Sequence, residues 1–103
     1  MAKESDEERK AKIRAELEDR ARARATITYG EAATLVGLAN QGLAPILNAI
    51  REEETEQGRP DLGCIVVRSD TGFPSYVGTG EDDRARALST RKAVFASWRR
   101  RKL

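Results

Sequence analysis

The sequence predicts an α+β fold, mainly helical and winged-helix-like: three helices, a β-hairpin and a C-terminal helix. Three observations predict it. Residues 5–24 are rich in Glu, Lys, Arg and Ala and contain neither Gly nor Pro, a composition of high helix propensity. Around Gly37 two short apolar-periodic segments are joined by a tight connection, the pattern of a helix-turn-helix. Residues 62–67 then read LGCIVV, an apolar and β-branched run followed by the turn residues Ser69, Asp70, Thr71 and Gly72.

Taken in order, the first helix carries Ile13, Leu17 and Ala21 on one narrow stripe at spacing four. So thin a stripe anchors the helix weakly, and residues 1–6 are expected to fray. At Thr28 the pattern resets. Thr28 and Glu31 have the spacing of a capping box, in which a hydroxyl and a carboxylate satisfy each other's orphan backbone donors. The second helix therefore starts there, carries Ala32, Ala33, Leu35 and Val36, and stops at Gly37. The third is expected to take Asn40 as N-cap, to tolerate Pro45 in its first turn, and to bury Leu43, Ile46, Leu47 and Ile50. Gly58, Arg59 and Pro60 break it. Leu62–Val67 reads as a buried strand and Phe73–Val77 as its weaker return, with Pro74 pointing to a sheet edge. From Asp82 a last helix runs acidic to basic, with Leu88, Phe95 and Trp98 as expected core residues on one face.

At 103 residues the chain fits one domain with one core, 1–103. Apolar residues make up 39% and charged residues 35%, so much of the helix surface is solvated, yet the composition is not that of a disordered chain. No apolar run approaches the roughly 18 residues of a membrane span, and the charged start MAKESDEERK lacks the apolar stretch of a signal peptide. The expected location is the cytoplasm, with no membrane contact. One cysteine, Cys64, and no histidine remove internal disulfides, the usual zinc clusters and histidine acid–base chemistry. No enzyme activity, cofactor or metal is expected. The acidic groups Glu52, Glu53, Glu54, Asp82 and Asp83 read as solvated helix surface. Val77-Gly78-Thr79-Gly80 lacks the lysine of a phosphate-binding loop and reads as a connector.

Charge is unevenly spread. Residues 25–80 hold 3 basic against 7 acidic groups, whereas residues 81–103 hold 8 against 3. The run Arg99, Arg100, Arg101 and Lys102 is either a solvated helix end, favoured by the macrodipole, or a set of phosphate contacts.

The segment from Ile27 to Gly78, about half the chain, resembles the C-terminal winged-helix domain of DNA alkyltransferases and alkyltransferase-like proteins. The resemblance rests on Thr28-Tyr29-Gly30-Glu31, on Ala33, Leu35 and Gly37, and on Gly63-Cys64-Ile65-Val66-Val67 with Gly72. The segment is also similar to a group of small uncharacterised bacterial proteins that share Thr-Tyr-Gly-Glu and a later Val66-Val67, Thr71-Gly72 and Pro74 pattern. The first resemblance implies DNA binding, but the departures bear on its chemistry. Alkyltransferases follow the reactive cysteine with His and Arg; here Ile65 and Val66 follow Cys64, which is expected to be a buried, inert strand residue. Where those proteins place an Arg that probes the DNA stack, this chain has Asn40 and Gln41.

The expected function is a non-catalytic DNA-associated module, with regulation as its role. Asn40, Gln41, Ala44 and Asn48 of the third helix would enter the major groove, while Arg68 on the wing and Arg99, Arg100, Arg101 and Lys102 hold phosphates. The alternative is an accessory module that keeps the fold and docks a protein through the first helix or the edge near Phe73 and Tyr76.

Overall fold

The computed structural model describes residues 6–39, 42–78 and 80–99, with the side chain of Arg99 outside that description. Helix α1 spans Asp6–Arg22, strand β1 Ile27–Thr28, helix α2 Tyr29–Leu35, helix α3 Leu43–Glu56, strand β2 Val66–Val67 and helix α4 Glu81–Arg99. A 3-10 turn over Leu62–Ile65 leads into β2.

The stripe of α1 is buried as its spacing predicts, with Ile13, Leu17 and Ala21 at 0–1% exposure. The capping box also forms: Thr28 Oγ1 accepts the Glu31 N–H, and Glu31 Oε1 accepts the Thr28 N–H, each at 3.1 Å. Helix α2 ends as Gly37 turns into the left-handed region at φ +65°, and Leu38 N–H closes back on Ala33 O at 3.0 Å. Helix α3 starts at Leu43 with Pro45 in its first turn. Its N-cap is Gly42, with no side-chain cap bond, rather than Asn40, which lies outside the described residues.

Four sequence expectations give way here: the hairpin, the strand position of Cys64, the burial of Leu88 and the solvation of Glu54. Among the described residues no β-hairpin forms; β2 pairs in parallel with β1, Ile27 opposite Val66 and Thr28 opposite Val67. The reason is local. Asp61 Oδ1 accepts the Gly63 N–H at 2.9 Å and Asp61 O accepts the Cys64 N–H at 3.2 Å, which commits Leu62–Ile65 to a 3-10 turn and leaves two residues extended. Downstream, Pro74 has no N–H to donate, and residues 68–73 close as a loop through Arg68 N–H to Phe73 O and Gly72 N–H to Arg68 O, both 2.9 Å. Cys64 is therefore buried, but in the turn and not in a strand.

Leu88 is not a core residue, being 44% exposed, while Val94 and Trp98 are buried and Phe95 packs partly against the core. Burial along α4 centres on the Val94–Trp98 line, and at 100° per residue Leu88 falls well off it.

Nor is Glu54 solvated. It continues the buried stripe Leu43, Ile46, Ile50 at helical spacing and is 0% exposed. Arg59 Nε at 2.6 Å and Arg14 Nη1 at 2.7 Å donate to its carboxylate, and Glu53 beside it accepts from Arg14 Nη2 at 2.8 Å and from Lys10. The left-handed Gly58 (φ +70°) and the bond from Arg59 N–H to Glu54 O at 2.8 Å return Arg59 to that carboxylate. Helix α1, whose apolar stripe is thin, is thus tied to α3 by charge as well.

Candidate nucleic-acid interface

A half-open groove of about 740 Å³ lies between the start of α2, the outer face of α3, the Asp61–Gly63 segment and the 68–76 loop. On its α3 wall Ala44, Asn48 and Arg51 are exposed at spacing four and three, one stripe of the helix. Arg51 Nη2 donates to Asn48 Oδ1 at 3.0 Å, which fixes the amide and keeps its NH2 group as a donor.

Two tyrosines frame the other walls. Tyr29, first residue of α2, packs against the core and accepts the Ser75 N–H at 3.0 Å while donating to Ser75 Oγ at 3.3 Å. Tyr76 is 63% exposed, and its hydroxyl is 3.4 Å from Asp61 Oδ2. Burial raises the Asp61 carboxyl above its usual range; the Gly63 N–H bond and the charge of Arg51 work against that shift. Gly63 lines the same wall, and a Cβ there would stand 3.2 Å from Asp61 Oδ1.

The structure brings together three of the site residues expected from sequence, Ala44, Asn48 and Arg68, all lining this groove. Arg68, however, is paired: its Nε and Nη2 grip Asp70 Oδ1 and Oδ2 at 3.0 and 2.9 Å in an exposed bidentate pair, and that hydrogen-bonded guanidinium holds the Asp70 carboxyl below its ordinary value. Arg99 closes α4. Asn40, Gln41, Arg100, Arg101 and Lys102 lie outside the described residues.

Sequence reasoning missed Arg51, Tyr29, Asp61 and Ser75 as groove residues. Arg51 was within reach, since it shares the stripe of Ala44 and Asn48. The contact of Tyr76 with Asp61 spans 15 residues and that of Tyr29 with Ser75 spans 46, with no local signal for either.

The chain's one thiol is not part of the groove lining. Cys64 is 5% exposed, and burial, with the Asp61 charge adding to it, pushes its pKa up to about 12. A thiol reagent at neutral pH is therefore expected to label Cys64 much more slowly in the native protein than after unfolding; rapid stoichiometric labelling of the native form would contradict its burial.

Among the described residues no group of three or more carboxylate or cysteine side chains is placed to hold a metal ion, and no helix is long and apolar enough to cross a membrane. No protein family, curated protein or solved structure gives a significant match to this chain.

Proposed function

We infer that this chain is a non-catalytic DNA-associated module, winged-helix-like in use, with α3 as the reading helix and the 68–76 loop in the place of a wing. The observation that carries the reading is the exposed Asn48–Arg51 pair beside the small Ala44. Asparagine and arginine are the side chains that pair in bidentate fashion with adenine and guanine edges, and a small neighbour lets the helix approach a groove floor closely. Next to that stripe, the tyrosine-framed groove offers aromatic surface to a base that leaves its stack.

The test is binding of a labelled duplex followed by fluorescence anisotropy from about 50 mM salt upward, where electrostatic attraction is least screened at the start. Replacing Asn48 or Arg51 with Ala is expected to alter the preference between duplex sequences by about 1–3 kcal/mol, because base contacts specify while phosphate contacts position. No binding of any duplex at about 50 mM salt would contradict the reading.

One observation favours a second reading, an accessory protein-binding module. Around the groove, Arg51 and Arg68 are balanced by Asp61 and Asp70, whereas DNA-binding surfaces carry a clear excess of positive charge.

A further inference from the structure

The cations that line the groove, Arg51 and Arg68, are matched in number by Asp61 and Asp70, and further cations meet the 68–76 loop from α4. From Arg84 to the end of the chain there are eight Lys and Arg and no Asp or Glu. Two of these, Arg84 and Arg91, stand two helical turns apart on α4, and their guanidinium carbons lie 5.2 and 5.4 Å from the centroid of the Phe73 ring. Arg91 Nη2 also donates to Gly72 O at 2.7 Å. Phe73 and Gly72 belong to the loop whose other residues, Arg68, Ser69, Asp70, Ser75 and Tyr76, line the groove.

What sets the two arginines apart is their compensation. Arg14, Arg20, Arg59, Arg68 and Arg86 each lie within ion-pair distance of a carboxylate. Arg24 and Arg51 also lack a carboxylate partner, and Arg9 and Arg22 also bury an Nε–H without an acceptor, but among the described residues Arg84 and Arg91 combine the two: no carboxylate within ion-pair distance and a buried Nε–H with no acceptor. Two guanidinium groups drawn to one ring repel each other, and the ring quadrupole offsets that only in part. An anion between or beside them would complete the balance.

We propose that Arg84 and Arg91 of α4, held against Phe73, form the main phosphate-backbone contact of this protein on duplex DNA, in place of Arg68. The proposal rests on the DNA reading above. It gives α3 the bases and α4 the phosphates, with the 68–76 loop between them. Arg68, already neutralised by Asp70, releases few counterions and contributes little to the salt dependence.

The experiment measures affinity for one end-labelled duplex between about 50 and 200 mM potassium chloride, for the full chain and for R84Q/R91Q. Far-UV circular dichroism and a thermal melt establish that the variant is folded. The double variant is expected to lose about tenfold or more in affinity at the low-salt end, equally for unrelated duplex sequences, with a log-affinity against log-salt slope shallower by about two. The charge-neutral variant R68Q/D70N should keep the slope of the parent. Should R84Q/R91Q fail to fold, R84Q and R91Q singly are each expected to flatten the slope by about one, and R84K/R91K to preserve it. A folded R84Q/R91Q or folded single variants with the parent's slope would overturn this assignment while leaving the DNA reading in place. A parent chain that binds no duplex would overturn both.

Discussion

Replacing Glu54 with Gln is expected to destabilise the protein by about 3–5 kcal/mol, close to the whole stability margin of a marginal domain. The substitution keeps the shape and removes only the charge, but that charge, on a carboxylate with no exposure, is the counter-ion of the mostly buried Arg59 and Arg14. Arg14 retains Glu53 at 2.8 Å and Glu18 at 3.5 Å, so Arg59 is the group left uncompensated and the effect should fall toward the lower end of the range. Chemical denaturation of the two proteins measures it, and a difference below about 1 kcal/mol would show that Arg59 finds water instead. The triple variant R14M/E54L/R59M should recover much of the loss, because an apolar replacement of a whole buried ionic group is often neutral.

The same carboxylate sets an acid limit. Burial acts to raise the pKa of Glu54, but the hydrogen bonds from Arg59 and Arg14 outweigh it and hold the value below the ordinary 4.5. A carboxylate whose folded pKa is depressed contributes stability that is present above the unfolded value and lost as pH falls through the folded one. Glu53, held low by the Lys10 and Arg14 bonds, adds in the same direction. Unfolding free energy is therefore expected to drop as pH falls below about 4.5, more gently in E54Q than in the parent.

Trp98→Ala is expected to cost about 3–5 kcal/mol and to lower the melting temperature by more than about 10 °C. The indole is 7% exposed at the end of the buried line through Val94, and the guanidinium carbons of Arg22 and Arg59 lie 5.5 and 5.7 Å from its ring. It thereby joins α4 to the last turn of α1 and to the segment after α3. Its removal opens a cavity and also strips two cations of their aromatic face. As the chain's one tryptophan it reports on itself: emission from the native protein should be blue-shifted and poorly quenched by iodide. A W98A protein that melts like the parent but loses nucleic-acid binding would make the ring a stacking platform instead.

Features written in local chemistry could be read from sequence. The capping box at Thr28 and Glu31, the left-handed Gly37 and the α1 stripe depend on neighbours within a few residues, and each stands in the structure where spacing places it. What failed depended on distant partners. The run LGCIVV is apolar because it is buried, and burial alone does not separate a strand from a 3-10 turn; the cap at Asp61 and the partner strand 39 residues earlier decide it. Glu54 looks like solvated surface until Arg14, 40 positions away, is placed beside it. In the candidate site, Ala44 and Asn48 follow from helical period, while the pairing of Arg68 with Asp70, which curls back to it across the loop turn, does not. The approach of both Arg84 and Arg91 to the Phe73 ring depends equally on how that loop meets α4.

The most direct measurement is a titration of the isotopically labelled protein with duplex DNA at about 50 mM salt, followed residue by residue through its amide and arginine side-chain NMR signals. The account predicts shifts confined to Tyr29 at the start of α2, to Ala44, Asn48 and Arg51 on α3, to the 68–76 loop and to Arg84 and Arg91 on α4, with α1 unmoved. An unchanged spectrum at saturating duplex, or shifts confined to α1, would contradict it.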